Sequence, residues 1–377
     1  MIKKAAIVLV LILISAKYAF ADINCNAVRT QSNTVPLSAT MTTGNDLPIG
    51  SEIYRLTVAS EGFGINCNSG FNGIPLVFSV SSEPSSPISV AGSAYSGSVV
   101  YPTNMAGVGA VVWYSGHAFT MSSPYTQTTL NYNPGAGVSS TLSFARSVDI
   151  SFIKTGEISG GFVNGSSLPT VILYSPSVPG YSGLPATYWT LKFSGVIGIT
   201  SGTCTTPNVN VNLGSHDLRT TFTGKGSTSE WVDSSIILED CPAFLGNYPY
   251  SNPQKTTTTT TTTTTSSGAS TPTGTPTSNK LVLSLTASTG VIDGTNGVVA
   301  LSNEDGQASA TGIGVQIGYN STTNPTLWNF SNTWSYNIPN NGSPSITLPL
   351  AARYYQTSDV VTPGTANSSV IFTISYQ

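Results

Sequence analysis

Val-Ile-Phe-Thr-Ile-Ser-Tyr-Gln, residues 370–377, is the stretch of this sequence that most clearly predicts its fold. Successive side chains of a β-strand point to opposite faces, so the larger side chains here would share one face. These are Val370, Phe372, Ile374 and Tyr376. Gln377 would lie on the other face. Because no turn and no later strand follow, we expect an edge strand with one unfilled side.

Two further strands are predicted upstream. Residues 348–356 read Leu-Pro-Leu-Ala-Ala-Arg-Tyr-Tyr-Gln, and residues 306–317 read Gly-Gln-Ala-Ser-Ala-Thr-Gly-Ile-Gly-Val-Gln-Ile. Gly364 stands where another strand would begin. Short apolar runs separated by turn residues are typical of an all-β protein.

Together these motifs resemble the pilin domain of chaperone–usher fimbriae. The shared features are Ala310 to Ile317, Leu348 to Gln356, Gly364 and the penultimate Tyr376, in the order found in that family. The resemblance implies an immunoglobulin-like β-sandwich that lacks its last strand. A periplasmic chaperone, and then the adjacent fimbrial subunit, would add that strand beside residues 370–377 during assembly at an outer-membrane usher.

Composition favours an exposed, extracellular protein. Only 8% of the 377 residues are charged and the formal net charge is −3. No basic patch stands out, so nucleic acid is not an expected partner. The sequence contains no G-x-S-x-G, no H-E-x-x-H and no glycine-rich phosphate loop, and the seven acidic residues of the first half show no pairing. We therefore expect no enzyme activity, no cofactor and no metal.

The first 21 residues predict an export signal. Lys3 and Lys4 precede an apolar core over residues 5–14, and Ala19-Phe20-Ala21 forms an A-x-A cleavage site. Cleavage there would make Asp22 the new N-terminus. We expect the mature protein to pass through the periplasm to the cell surface.

Four cysteines follow the leader, and four allow three pairings. Their order and the long interval in the middle favour Cys25 with Cys67 and Cys204 with Cys241. Each bridge would close a loop of about 40 residues, stabilising its half by roughly 4 kcal/mol in the chain-entropy model.

Residues 22–200 predict a β-sandwich of their own, with short strands such as 53–58, 75–80, 109–114 and 170–174. An ordinary pilin carries a donor strand where this chain has a whole domain. The chain is thus similar to the two-domain tip adhesins of fimbriae, laid out like the mannose-binding adhesins of type 1 fimbriae. That resemblance implies a receptor-binding domain over 22–200 and a pilin domain over 201–377. The alternative is a structural or adaptor subunit without its own receptor.

In those adhesins the receptor, usually a host glycan or glycoprotein, binds at the distal tip. The site combines the mature N-terminus, a loop after the second cysteine and a loop before the last strand of the domain. The matching candidates here are Asp22, Asn68, Ser69, Tyr181 and Tyr188. The carboxylates that would grip vicinal sugar hydroxyls are missing from this chain, which counts against mannose. The alternatives are purely structural roles: Tyr181 would cover the end of the sandwich, and Asn68 would make a turn hydrogen bond.

The pilin half carries an unusual insertion. Ten threonines, Thr256 to Thr265, lie within a Ser, Thr, Pro and Gly tract over about residues 247–278. Such a composition predicts a mobile surface loop between two pilin strands. The alternative is a glycosylated or extended spacer.

Overall fold

The computed structural model of the chain describes residues 22–92, 99–135, 137–259, 268–303 and 308–377. The predicted leader (residues 1–21) lies outside the described residues, as do residues 306 and 307 of one predicted strand. Within the described ranges, no helix has the length and apolar character needed to cross a membrane. Their one α-helix, α1, covers only Leu218–Thr221.

The N-terminal half, residues 22–200, is built mostly of short antiparallel strands, with three long ones. In chain order they are β1 (Ile23–Val28), β2 (Gln31–Thr42), β3 (Glu52–Ala59), β4 (Phe63–Cys67), β5 (Phe71–Ser82), β6 (Ile88–Ser89), β7 (Val99–Pro102), β8 (Val108–Tyr114), β9 (His117–Ala118), β10 (Tyr125–Tyr132), β11 (Ser140–Phe144), β12 (Ser147–Lys154), β13 (Gly161–Asn164), β14 (Thr170–Ser175), β15 (Tyr181–Ser182) and β16 (Ala186–Thr200).

The C-terminal half, residues 201–377, contains the remaining strands. They are β17 (Val232–Asp233), β18 (Ile236–Leu238), β19 (Gln254–Thr259), β20 (Gly268–Ala269), β21 (Lys280–Ala287), β22 (Val291–Asp293), β23 (Val298–Val299), β24 (Ile313–Tyr319), β25 (Thr326–Leu327), β26 (Trp334–Asn337), β27 (Ile346–Leu348), β28 (Leu350–Gln356) and β29 (Val370–Tyr376). The all-β prediction is therefore confirmed.

Two large sheets enclose the core of the N-terminal half. One runs β10-β5-β14-β16, with β2 parallel to β16 along its other side, and the second runs β3-β12-β8-β7-β6. Alternate residues point inward, so the core is apolar and aromatic, with Tyr54, Phe78, Phe152 and Trp189 almost fully buried. A smaller sheet, β11-β4-β1-β15, closes one end.

The C-terminal half has its own core, packed between the sheet β17-β28-β24-β23-β22 and the sheet β26-β21-β29. Trp328, Leu281 and Leu348 are buried there. The predicted terminal strand is confirmed as β29, and the side chains of Val370, Phe372 and Ile374 pack against this core while Ile371 and Thr373 are exposed. Two separate cores confirm the prediction of two sandwiches.

Both predicted disulfides are present. Cys25 and Cys67 are directly opposite each other in the β1–β4 ladder, and their sulfur atoms are bonded at 2.04 Å. Cys204 and Cys241 are bonded at 2.08 Å. Each bridge lies within one half of the chain, as the order of the cysteines suggested.

The interpretation of residues 247–278 as a mobile surface loop is wrong for the described part of that tract. Strand β19 pairs in parallel with β3 of the N-terminal half, and β20 pairs with β19. The side chains of Gln254, Thr256 and Thr258 are at most 5% exposed. A strand forms here because threonine is β-branched and suits a half-buried pleated surface.

Residues 209–213, Val-Asn-Val-Asn-Leu, alternate in burial as those of a strand would, yet they belong to no described strand. One smaller prediction in the C-terminal half also fails. Gly364 does not open a strand, because β29 begins six residues later at Val370. Instead Gly364 lies so close to residues 308–310 that a Cβ atom would come within 2.4 Å of their backbone. Glycine is required there for close approach of two chain segments.

Candidate functional site

A long groove runs along the free edge of β29. Among the described strands β29 pairs only with β21, so its other backbone edge faces the groove. The groove has a volume of about 1000 Å³, and Val370 and Phe372 line its wall on the β29 side. Because a water molecule accounts for about 30 Å³ of liquid volume, the groove could hold something the size of a peptide.

A second part of the groove lining is the segment 209–213, which belongs to no described strand. Val209, Val211 and Leu213 line the groove and are half-buried, whereas Asn210 and Asn212 are exposed. Their backbone amides and carbonyls belong to no described ladder. The groove is therefore lined by β29 and by a segment outside the ladders whose hydrogen-bonding capacity is only partly used, since the Leu213 carbonyl is hydrogen-bonded to the His216 ring.

The floor of the groove is the hydrophobic core itself. Core side chains of both sheets reach it: Ile236, Leu285, Val299, Val315, Ile317 and Leu350. An extended peptide in this groove would pair with β29 and place alternate apolar side chains on that floor. Chemically, the groove would suit one added β-strand with apolar residues at every second position.

The end of the N-terminal half brings together four of the five predicted receptor residues. The Asn24 amide donates to Asn68 Oδ1 at 3.0 Å, and the Asn68 amide donates to the Asn24 carbonyl at 3.0 Å. Ile23 pairs with Tyr181 in a short parallel bridge, which places Asp22 beside the loop that precedes β15. Asp22 and Asn68 are exposed, and Ser69 and Tyr181 are half-buried.

Tyr181 holds this end together through its hydroxyl group. The hydroxyl oxygen accepts a hydrogen bond from the Asn72 amide at 2.9 Å, and the hydroxyl donates to the Asn72 carbonyl at 2.7 Å. The ring packs against the core. Ser69 joins a further loop, since its Oγ accepts from the Gly137 amide at 3.3 Å. The surface is thus a polar, braced platform of Asn, Ser and Tyr.

Tyr188 is the exception, and its assignment to the receptor site is wrong. Its side chain is fully buried, and its hydroxyl donates to Ser175 Oγ at 3.0 Å. A bulge explains the burial: Leu173 pairs with Trp189 and Tyr174 with Thr187, which leaves Tyr188 as an extra residue. Bulges break the two-residue period, so both Tyr188 and Trp189 point inward. Burial also raises the pKa of the Tyr188 phenol.

An aromatic cluster on β8 and β9 divides between two faces. Trp113 is buried and its Nε1 donates to Ser151 Oγ at 2.9 Å. On the other face, exposed His117 stacks on Tyr125 with ring centroids 4.5 Å apart. Trp113 is therefore a packing residue.

The acidic groups of the described residues do not form a metal-binding cluster. Among the described residues, no three His, Cys, Asp or Glu side chains lie close enough together to hold a metal ion. Burial raises the pKa of the Asp149 carboxyl. It accepts a hydrogen bond from the Thr57 hydroxyl, across the β3–β12 ladder.

Comparison with known proteins finds similarity only among solved structures. No protein-family model matches the chain, and no curated protein matches it in sequence. The CupB6 tip adhesin from Pseudomonas aeruginosa aligns with a TM-score of 0.33 and 14% identity over 94% of each chain. The P pilus rod subunit PapA aligns with a TM-score of 0.30 and 14% identity over 47% of this chain and all of its own.

A third similar structure is a chain of the CsuC–CsuE chaperone–tip adhesion subunit complex from Acinetobacter baumannii. It has a TM-score of 0.23 and 12% identity over 93% of this chain and 99% of that chain. The similar structures are therefore tip adhesins and subunits of chaperone–usher pili. All three TM-scores lie below 0.5, so the function proposed for this chain rests on its own residues and contacts.

Sequence reasoning missed most of the acceptor groove. The β29 side was predicted, but the floor residues and residues 209–213 were not assigned to a groove. The signal that could have identified this second part of the lining is the alternation Val-Asn-Val-Asn-Leu over 209–213. Alternation shows which side chains turn inward, but it does not reveal whether the backbone has a partner.

Proposed function

We propose that this protein is the tip adhesin of a chaperone–usher fimbria. The C-terminal half accepts a β-strand, first from a periplasmic chaperone and then from the adjacent subunit. The N-terminal half carries the receptor site. The observation that supports the proposal most strongly is the apolar groove along the free edge of β29, lined in part by residues 209–213.

The groove favours strand addition over small-molecule binding. Its floor consists of core residues, so an added strand would extend the same hydrophobic core. Its walls are extended backbone, which provides ladder hydrogen bonds rather than a few fixed polar groups. An exposed edge of this kind is an aggregation hazard until it is paired, which is why a chaperone is required.

Hydrogen exchange tests the acceptor role directly. Amides of residues 209–213 and 370–376 are measured in the full chain, alone and co-purified with a chaperone of its fimbrial system. Slower exchange in both segments on complex formation supports the proposal. Protection that falls elsewhere, with both segments unchanged, contradicts it.

The receptor is assigned to the platform around Asn68 and Tyr181. Asn and Ser side chains and backbone amides can bind sugar hydroxyls, and an aromatic ring can pack on a sugar face. We propose a host glycan, without assigning it to mannose. A glycan array probed with the full chain tests this, and a discrete hit is expected. Silence from a folded chain would favour a protein receptor or the adaptor role instead.

A further inference from the structure

The Thr-rich insertion joins the two halves in an unexpected way. Its described arms, residues 247–259 and 268–279, are called the strap here. In the first arm, β19 runs parallel to β3, with Gln254 opposite Leu56 and Thr257 opposite Ala59. The second arm pairs back on the first, with Lys255 opposite Thr273. A strand of the C-terminal half has therefore joined a sheet of the N-terminal half.

Buried polar groups of the N-terminal half bond to the strap. The Tyr54 hydroxyl donates to Gln254 Oε1 at 2.8 Å, and Tyr54 has no exposed surface. Gln31 Oε1 accepts from the Thr258 hydroxyl at 2.8 Å. Asn33 Nδ2 donates to the carbonyl of Gly268 in the second arm at 2.7 Å. A buried polar group without a hydrogen-bond partner lowers the stability of the fold. The strap supplies such partners to buried polar groups of the N-terminal half.

Apolar and cationic contacts extend the same interface. Tyr248 of the strap is part of the N-terminal core and meets Tyr54 edge to face, with ring centroids 6.0 Å apart. The guanidinium carbon of Arg55 lies 4.0 Å from the ring centroids of both Trp113 and Tyr250. An Arg guanidinium stacked on aromatic rings is a favourable arrangement, and Arg55 and Trp113 are buried while Tyr250 is exposed. A merely tethered loop would not bury side chains of both partners in this way.

We propose that the strap is the completing strand of the N-terminal sandwich, donated within the chain by the C-terminal half. Without it, β3 would be the edge of its sheet, since β12 is its other partner. Both arms of the strap lead back into the C-terminal half, through Cys241 on one side and β21 on the other. The two halves should therefore unfold cooperatively. A force that pulls them apart would be carried partly by the parallel β3–β19 pair. This property is independent of the proposed receptor and of strand acceptance.

Removing the strap tests the proposal in the full chain. A short Gly-Ser linker replaces residues 249–276, and hydrogen exchange is followed for amides 52–59 of β3. We expect exchange there to become faster by roughly tenfold or more, while amides 313–319 of β24 keep their protection. Unchanged protection of β3 would overturn the proposal.

A conservative pair gives the same test with one atom exchanged. Thr258→Val removes the hydroxyl that Gln31 accepts from, and Thr257→Val makes the same change on the exposed face of the strand. The first variant is expected to speed exchange in β3 and the second to leave it unchanged. Equal behaviour of the two variants would contradict the proposal.

Cross-linking keeps the proposal testable if the linker variant does not fold. Thr257 and Ala59 are opposite each other and turn to the same side, so the pair Thr257→Cys and Ala59→Cys should form a third disulfide. The control pair, Thr256→Cys with Ala59→Cys, places the two side chains on opposite faces. Mass spectrometry should find the bridge only in the first pair. A bridge in neither pair, or equally in both, would overturn the assigned pairing.

Discussion

The backbone amide of Tyr376 donates a hydrogen bond to Oδ2 of Asp46 at 2.9 Å, although the two residues are 330 positions apart in the sequence. Gly44 also lies very close to the backbone of Tyr376. A Cβ atom added to Gly44 would lie 1.7 Å from the carbonyl oxygen of Tyr376. The end of β29, whose free edge borders the acceptor groove, therefore abuts the N-terminal half backbone to backbone.

Gly44→Ala should separate these two segments. The nearest atoms to the added methyl are backbone atoms, which cannot rotate away as a side chain can. Overpacking of this kind costs about 1–3 kcal/mol or more in the free energy of unfolding. Gly224→Ala is the matched control, since no atom lies within 4 Å of its Cβ position. Urea unfolding of the chaperone-bound chain, followed by pulse proteolysis, measures both variants. Equal midpoints would show that the contact is not maintained in solution.

Two serine variants, Phe372→Ser and Ile371→Ser, compare the contributions of the two faces of β29 to chaperone capture. Phe372 lines the groove, whereas Ile371 is 60% exposed on the opposite face. An extended occupant would bury the Phe372 side chain, so its loss should lower chaperone capture roughly tenfold, about 1.4 kcal/mol. Ile371→Ser should leave capture unchanged. Co-purification from periplasm quantifies the capture of both variants. A larger loss with Ile371→Ser would mean that the chaperone contacts the opposite face of β29, which contradicts the prediction.

Tyr181→Ala should abolish or strongly reduce receptor binding by the full chain. The change removes both hydrogen bonds to the Asn72 backbone and frees the loop that precedes β15. Tyr181→Phe keeps the ring and should lose less binding. Binding to host cells or to the array hit measures the effect, and wild-type binding by Tyr181→Ala would mean that the receptor site lies elsewhere.

Tyr188→Phe serves as the contrasting variant. Its hydroxyl donates to buried Ser175, so the variant should lose about 1 kcal/mol of unfolding free energy. Because Tyr188 has no exposed surface, receptor affinity should not change. Loss of affinity without loss of stability would restore Tyr188 to the site.

Asp149→Asn should stabilise the protein at neutral pH. Burial raises the pKa of the Asp149 carboxyl, more than the Thr57 hydrogen bond and the Arg55 charge lower it. When the pKa of a carboxyl is higher in the folded than in the unfolded state, its contribution to folding stability is complete below the unfolded-state pKa. That contribution is lost as the pH rises through the folded-state pKa. The urea midpoint of the variant should exceed that of the wild type at pH 7, and the difference should shrink toward pH 4. A difference that grows on acidification would reverse the assigned sign.

The predictions made from local sequence pattern were most accurate for β29 and for the two disulfides. In β29 one face is core and the other is solvent, so burial follows the two-residue period. Cys25 and Cys67 were paired by order along the chain, and the β1–β4 ladder brings them together. Both features depend on information that lies within a few residues or in simple order.

The strap could not be predicted in this way. A run of identical threonines has no alternation, so no periodicity marks Thr256 and Thr258 as buried and Thr257 as exposed. Thr258 instead meets a polar partner 227 residues away, Gln31, and Thr256 bonds to Ser270 in the second arm of the strap. Composition indicated low core-forming capacity, but a strand can be held by an existing sheet rather than by a core of its own.

Tyr188 shows the same limit within the N-terminal half. Strict alternation along β16 would place Trp189 inside and Tyr188 on the opposite face. The bulge opposite Leu173 and Tyr174 is a property of the pairing, not of either strand alone. The other four candidate residues do lie at one end of the half, where the Cys25–Cys67 disulfide and the β1–β15 pairing bring their segments together.

The most direct test of strand acceptance is the state of the full chain purified by itself. Size-exclusion chromatography with light scattering and a thermal melt are run on the chain alone and on the chain co-purified with its chaperone. With the edge of β29 unpaired, the chain alone should form aggregates or melt at a markedly lower temperature, and the complex should be a stable one-to-one species. A monodisperse, equally stable monomer that does not bind the chaperone would contradict the account.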